Sequence, residues 1–163
     1  MNKRILVTYA TRAGSTAEVA SAIGETLAAR GFVVEVKPIK EKPPVEGYDG
    51  VLIGSAIRIG QWLPEAVDFI KRNQTALNHV PVALFTVHLN NLGDDEESQH
   101  NRLAYLDSVR PLLHATDEAF FAGKLEYARL TWFERLMAQV MKAAEEDRRD
   151  WQQITGWAEH VLA

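Results

Sequence analysis

Residues Ile5-Leu6-Val7-Thr8-Tyr9-Ala10-Thr11-Arg12-Ala13-Gly14-Ser15-Thr16 constrain the fold more tightly than any other segment of the chain. An apolar, β-branched run breaks off in small and hydroxyl residues around one glycine. Helical spacing then begins at once with Ala17, Val19, Ala20, Ile23 and Leu27. A strand that feeds a helix through so short a loop leaves the first helical N–H groups unpaired, at the positive end of the macrodipole. Such a helix start suits a phosphate. Ala13 and Gly14 let an anion come close; Thr11, Ser15 and Thr16 add hydroxyl donors, and Arg12 adds a full positive charge. The alternative is that Thr11 and Ser15 simply cap the helix. The chain has no Gly-x-x-x-x-Gly-Lys-Ser/Thr, and no Gly-x-Gly-x-x-Gly with a downstream ribose acid. That disfavours triphosphate and dinucleotide loops and leaves a terminal phosphomonoester as the fitting anion.

The remaining pattern alternates strand and helix. Residues 3–9 read as a buried strand, and 15–30 as an amphipathic helix closed by Gly31. Residues 32–37 alternate like an edge strand, 48–55 form a short buried strand, and Pro64 opens a helix to about Asn73. A fourth strand covers 80–87. Residues 98–114 are expected to be helical, with Leu103, Leu106, Val109, Leu112 and Leu113 inward. A fifth short strand spans 119–122, and helices over 126–144 and 148–162 complete the chain. Near-continuous apolar strands separated by helices imply an α/β, doubly wound, five-stranded parallel sheet of order 2-1-3-4-5, with helices on both faces. In that arrangement ligands bind outside the carboxyl ends of the strands, so the loops after strands one, three and four should meet.

Bulk properties narrow the class. A length of 163 residues fits one domain, and the absence of cysteine excludes disulfides, thiol catalysis and thiolate metal sites. No cleavable leader and no run of about twenty apolar residues is visible, so a soluble, cytoplasmic protein is expected. A net charge of −4 with scattered basic residues argues against nucleic acid. His79, His88, His100, His114 and His160 lack metal-ligand spacing, so no metal is expected. The run Asp94-Asp95-Glu96-Glu97 reads as the acidic start of a helix rather than a metal site.

Thr11-x-x-Gly14-x-Thr16, after a strand whose end carries the aromatic Tyr9, resembles the FMN-phosphate loop of flavodoxins. The resemblance implies a flavodoxin-like fold with FMN as cofactor. It then gives the other two loops a role. In Gly54-Ser55-Ala56-Ile57-Arg58-Ile59-Gly60-Gln61-Trp62, two glycines would let backbone approach a flat ring, and Ile57, Ile59 and Trp62 would cover one face. Trp62 can equally be a core residue. Arg58 would sit near the flavin's N1–O2 edge. In Thr86-Val87-His88-Leu89, backbone groups would meet the pyrimidine edge, with His88 or Leu89 over the other face; His88 can also be an ordinary polar loop residue.

Within flavodoxins, one branch is more similar. The segments 11–16, 54–60, Phe121-Ala122-Gly123-Lys124-Leu125 and Tyr127-Ala128-Arg129-Leu130-Thr131-Trp132-Phe133-Glu134-Arg135-Leu136-Met137 resemble the menaquinone-dependent protoporphyrinogen oxidase family. That implies an FMN-dependent oxidoreductase of haem biosynthesis, with a porphyrinogen substrate and a quinone or other redox partner, and with FMN rather than a protein nucleophile carrying the chemistry. The chain departs from the family at Ala144-Glu145-Glu146-Asp147-Arg148-Arg149-Asp150-Trp151, which is shorter and highly charged. Apolar residues spread around the helix 126–144 would suit the inner face of a membrane (a peripheral contact), a quinone or a second copy in a homodimer, or plain burial. Two other functions stay open: an electron carrier without a small-molecule substrate, for which −4 is a modest charge, and a flavin-free scaffold of the same fold.

Overall fold

The computed structural model describes residues 2–12, 14–89, 91–125, 146–147 and 149–162. The expected helix over 126–144, and with it the membrane or dimer contact, lies outside the described residues, as do Ala13 and Asn90.

Five strands run parallel in the order β2-β1-β3-β5-β6: β1 (Arg4–Ala10), β2 (Val33–Pro38), β3 (Gly50–Arg58), β5 (Val82–His88) and β6 (Asp117–Ala122). This is the expected doubly wound order. A short β4 (Gln61–Trp62) folds back antiparallel on β3. A second small sheet pairs β7 (Lys124–Leu125) with β8 (Glu146–Asp147). The strands are parallel because each crossover passes through a helix or turn that covers one face. One face is sealed by α1 (Ser15–Ala29) and α5 (Trp151–Ala158), where Val19, Ile23, Leu27 and Ile154 meet Ile5, Val7 and Phe85. The other is sealed by α2 (Pro64–Arg72), α3 (Gln74–Leu77) and the turns after α4 (Glu96–Ala104), where Phe69, Ile70, Leu77 and Leu106 meet Leu6, Ile53 and Leu84. Period-two alternation along β1 assigns Ile5 and Val7 to one core, Leu6 and Ala10 to the other.

Two expectations need correction. The helix expected over 98–114 starts earlier, because the Asp95 carboxylate accepts the Ser98 amide at 3.1 Å and so fixes the start at Glu96. It also stops at Ala104. Bonds from the Tyr105 and Leu106 amides back three residues, to Arg102 and Leu103, tighten the chain and shift the phase of its apolar face. Leu106 and Val109 are therefore fully buried, whereas Leu103, expected inward, is 51% exposed. Arg110, preceding Pro111, is disfavoured from continuing an α-helix.

The second correction concerns β3, which runs on to Arg58 instead of ending at Ser55. Ala56 pairs with Val87, Ile57 with Trp62, and Arg58 with Gln61. The turn between β3 and β4 is only Ile59-Gly60, with φ of 52° and 71°, a tight hairpin of the kind that requires positive φ at both positions. Gly54 is thereby placed within the sheet, opposite Phe85. A Cβ at Gly54 would come within 2.1 Å of the Phe85 ring, so this glycine makes room for core packing rather than for a ligand. Gly54→Ala is expected to destabilise the protein by about 1–3 kcal/mol through overpacking. Phe85→Leu in the same chain should recover part of that loss, read as non-additive shifts of the urea midpoint; additive shifts would refute the contact.

Candidate functional site: an open helix start at the carboxyl edge of the sheet

The first loop leaves β1 at Ala10 and enters α1 at Ser15. Gly14 occupies the position before the helix with φ 91°, a left-handed conformation that glycine adopts without cost, and no side chain caps the helix. The Thr11 hydroxyl accepts the Gly14 amide at 3.0 Å, so Thr11 shapes the loop while the first turn of α1 carries no side-chain cap. The capping alternative raised for Thr11 and Ser15 is thus not what this loop does. Thr16 is fully buried, and its hydroxyl has no hydrogen-bond partner. A buried, unsatisfied hydroxyl is unfavourable and calls for an explanation; an acceptor at the helix start would supply one.

Strand register brings the other loops to this place. Tyr9 pairs with Gly54 and Ala10 with Ser55; Ser55 pairs with Thr86, and His88 with Ala122. The four carboxyl ends therefore lie side by side. Beyond β6, the Gly123 amide donates to the His88 carbonyl at 2.8 Å. A Cβ on Gly123 would lie 2.8 Å from Val87 Cγ1 and 3.5 Å from Ser15 Oγ, so the end of β6 closes on the start of α1.

Side chains in these loops divide into structural and outward-facing sets. Trp62 is buried and its indole donates to the Thr86 hydroxyl at 2.9 Å, which makes both core residues. The Ser55 hydroxyl accepts the Leu63 amide at 3.0 Å and fastens the return of the hairpin at the start of α2. His88 is 5% exposed, with its ring packed 5.5 Å from Tyr105 and 6.2 Å from Phe120, and it lines a cavity together with Leu92 and Arg102. Val87 is buried and Leu89 partly so. On the hairpin, Ala56 and Ile57 are half-buried, whereas Arg58 and Gly60 are exposed and Ile59 is 93% exposed.

Arg12 does not point freely at the helix start. Its guanidinium forks onto the carboxylate of Glu65, in the first turn of α2, with the Nη2–Oε1 contact at 3.0 Å. That fork holds the Glu65 carboxyl below the usual carboxylate range against the upward push of burial, with a further contribution from the nearby charge of Arg58. A cleft of about 520 Å³ lies beside this pair, between the ends of β1 and β2, lined by Tyr9, Thr11, Lys40 and Glu41 among others. The loop after β5 is held as well. Arg102 donates to the carbonyls of Asn91 and Gly93 at 2.7 and 2.6 Å, and Asn91, at φ 60°, donates to the Tyr105 hydroxyl at 2.7 Å. Glu65 and Arg102 were not among the residues that sequence reasoning picked out. Neither has a motif, and each acts through a partner more than ten residues away or on another loop.

Helices on both faces of a parallel sheet, with an uncapped helix start among the strand ends, define a doubly wound α/β fold. A family model described as a flavodoxin domain matches residues 6–152, and the chain belongs to that family. The chain is 30% identical over 170 residues to the protoporphyrinogen IX dehydrogenase [quinone] of Escherichia coli strain K12, covering 97% of this chain and 94% of that protein. A protein of the same description from Leishmania major is 26% identical, over 95% of this chain and 70% of the relative. Among solved structures, the reduced flavodoxin of Megasphaera elsdenii superposes with a TM-score of 0.58 at 16% identity, covering 95% and 96% of the two chains. A Fusobacterium nucleatum flavodoxin bound to flavin mononucleotide gives 0.52 at 14% identity, covering 74% and 70%. These structures share the fold. Among the described residues no helix is long and apolar enough to cross a membrane, and no cluster of His, Cys, Asp or Glu could hold a metal.

The Arg12–Glu65 tie has a pH signature. Because the folded-state pKa of Glu65 is depressed, its contribution to stability is present above the ordinary glutamate value of 4.5 and is lost as pH falls through the lowered folded value. Both side chains are 38% exposed, so solvent screening keeps the effect small. Glu65→Gln should therefore lower stability slightly at neutral pH and flatten the acid limb of stability against pH by the same small amount. Urea unfolding at several pH values checks this, and an identical acid limb in the variant would contradict it.

Proposed function

We propose that this chain is an FMN-dependent oxidoreductase of the quinone-linked, protoporphyrinogen-oxidising kind. The observation that carries the reading is the relationship to the E. coli protoporphyrinogen IX dehydrogenase, which extends along nearly the whole of both chains at 30% identity. The helix start fits the phosphate of that cofactor. An uncapped first turn, a left-handed Gly14 and the buried Thr16 hydroxyl together offer donors that no side chain among the described residues uses. When bound, FMN would supply the redox chemistry by accepting reducing equivalents and passing them on.

The residues then take these parts. Ser15 and Thr16 hold the phosphate with hydroxyls and helix-start amides, and Thr11 keeps the loop open by occupying the Gly14 amide. Ala56, Ile57 and the exposed Ile59-Gly60 tip present an apolar edge against the ring, which burial of Trp62 leaves to the hairpin alone. Arg58 places a positive charge near that edge and favours extra negative charge on a reduced ring. Backbone groups at Val87, His88 and Leu89 line the opposite side, on a loop that Arg102 fastens from behind. Thr86 acts through the core by fixing Trp62, and the His88 ring packs on Tyr105.

Two experiments test this reading. Thr16→Val removes the buried hydroxyl but keeps its shape, so stability should hold or rise. FMN affinity should fall about tenfold, the effect of one charge-assisted hydrogen bond, with riboflavin affinity unchanged. Equal FMN affinity in the two proteins removes the phosphate assignment. For the reaction, the FMN-loaded chain is mixed with protoporphyrinogen IX and a menaquinone analogue, and porphyrin fluorescence is followed. It should rise faster than autoxidation and only with FMN present. A rise no faster than autoxidation, together with ready electron transfer to an acceptor protein, assigns the chain as a carrier instead.

A further inference from the structure

The helix that opens toward the site is fastened at both ends to the C-terminal segment, by two arginines. At its far end Arg30 donates to the carbonyls of Ala158 and Val161, each at 2.7 Å. At its near end Arg149, just before α5, pairs with Glu18 in the first turn of α1. The Arg149 side chain is only 6% exposed, and its guanidinium stacks 4.7 Å from the centre of the Trp151 ring. Between the two ties, Ile23 and Leu27 of α1 share a core with Ile154, Ala158 and Val161.

Glu18 is the chemical difficulty at this helix start. It lies three residues past Ser15 in the first turn, about 4.5 Å along the helix axis from the residue that opens it. A carboxylate there complements the helix dipole in an empty site. A phosphate bound at the same end competes for the same positive potential, well inside the Debye length of about 8–10 Å. The two anions repel unless one is compensated. Arg149, nearly buried and stacked on Trp151, is placed to compensate Glu18 and at the same time to fix the end of α1 against α5.

We infer that Arg149 is a positioning residue for the phosphate site: by pairing with Glu18 it cancels that charge and tethers the first turn of α1, raising affinity for a phosphorylated flavin that it does not touch. The inference rests on the FMN reading. It makes the charged segment before α5 part of the binding apparatus, although this segment follows the sheet in sequence and belongs to none of the three loops.

The test is a charge cycle with wild type, Arg149→Gln, Glu18→Gln and the double variant, each titrated with FMN and with riboflavin by quenching of flavin fluorescence. Arg149→Gln should weaken FMN about 5- to 10-fold at low salt, less at high salt, and leave riboflavin within about twofold. Adding Glu18→Gln should restore FMN affinity to within about twofold of wild type, a rescue that a purely structural tie would not give. Equal loss of both flavins, or no rescue by Glu18→Gln, overturns the inference, as does an Arg149→Gln chain that binds FMN like wild type. A wild-type chain that takes neither flavin overturns the FMN reading and this inference with it, whereas flavin binding identical in all four proteins overturns the inference alone. Should Arg149→Gln fail to fold, Glu18→Gln alone decides: it must bind FMN at least as tightly as wild type, and weaker binding refutes the assigned role.

Discussion

In a parallel sheet every strand delivers its carboxyl end to one edge, and in this chain that edge also receives the unpaired N–H groups of α1. The constraint is geometric first. Registers such as Ala10–Ser55, Ser55–Thr86 and His88–Ala122 leave no freedom in how far each strand projects. The loops after β1, β3 and β5 therefore meet whatever their sequences, and only their chemistry remains to be set. That chemistry is set by omission as much as by placement: the helix start lacks a capping side chain, and Thr16 holds a buried hydroxyl without a partner. A protein with no use for that vacancy in hydrogen bonding would gain stability from a methyl group there.

Charge follows the same logic of balance. Arg12 and Glu65 bracket the site from the side of α2, and Glu18 with Arg149 from the side of α5. Glu65 and Glu18, two acids near the start of α1, are each paired with an arginine. The helix dipole is thereby left as the uncompensated positive field, directed at the place where the loops converge. The exposed Arg12–Glu65 pair is screened, while Arg149 is nearly buried, so the two pairs differ in how strongly they act through the low-dielectric interior.

The parts of this arrangement that could be read in the sequence are those with a local signal. The strand–loop–helix unit at 5–16, the five parallel strands and their order follow from periodicity and small-residue breaks, because apolar patterning is decided within a few neighbours. Boundaries that depend on partners were not legible. β3 runs on to Arg58 because it finds β4, and the helix at 96–104 stops where bonds three residues back take over. Gly54 looked like a site for ligand approach and proves to accommodate Phe85, distant in sequence but adjacent in register. Trp62, readable from sequence either as a ring cover or as a core residue, proves to be core, with its indole bonded to Thr86. Glu65 carries no motif, and Arg149 stands out in the sequence only as part of the charged stretch before the last helix. Their significance arises only from the ion pairs that folding creates.

Ile59 is the residue in which fold and site pull in different directions. A β-branched side chain at φ 52° is strained, and glycine or asparagine would relieve it. Exposed to 93%, the isoleucine gains nothing from burial in the protein as it stands. Strain of this kind persists only where the surroundings over-determine the backbone. They do so here: Ile57–Trp62 and Arg58–Gln61 pairing fixes both arms, Trp62 is bonded to Thr86, Ser55 holds Leu63, and Gln61 reaches the Ala104 carbonyl at 3.3 Å. A hairpin anchored at four points can hold a large apolar group out in water beside the strand ends. Such a group lowers its free energy only when something flat and apolar covers it. The hairpin tip therefore carries a local cost in backbone strain and exposed apolar surface that its anchored arms sustain.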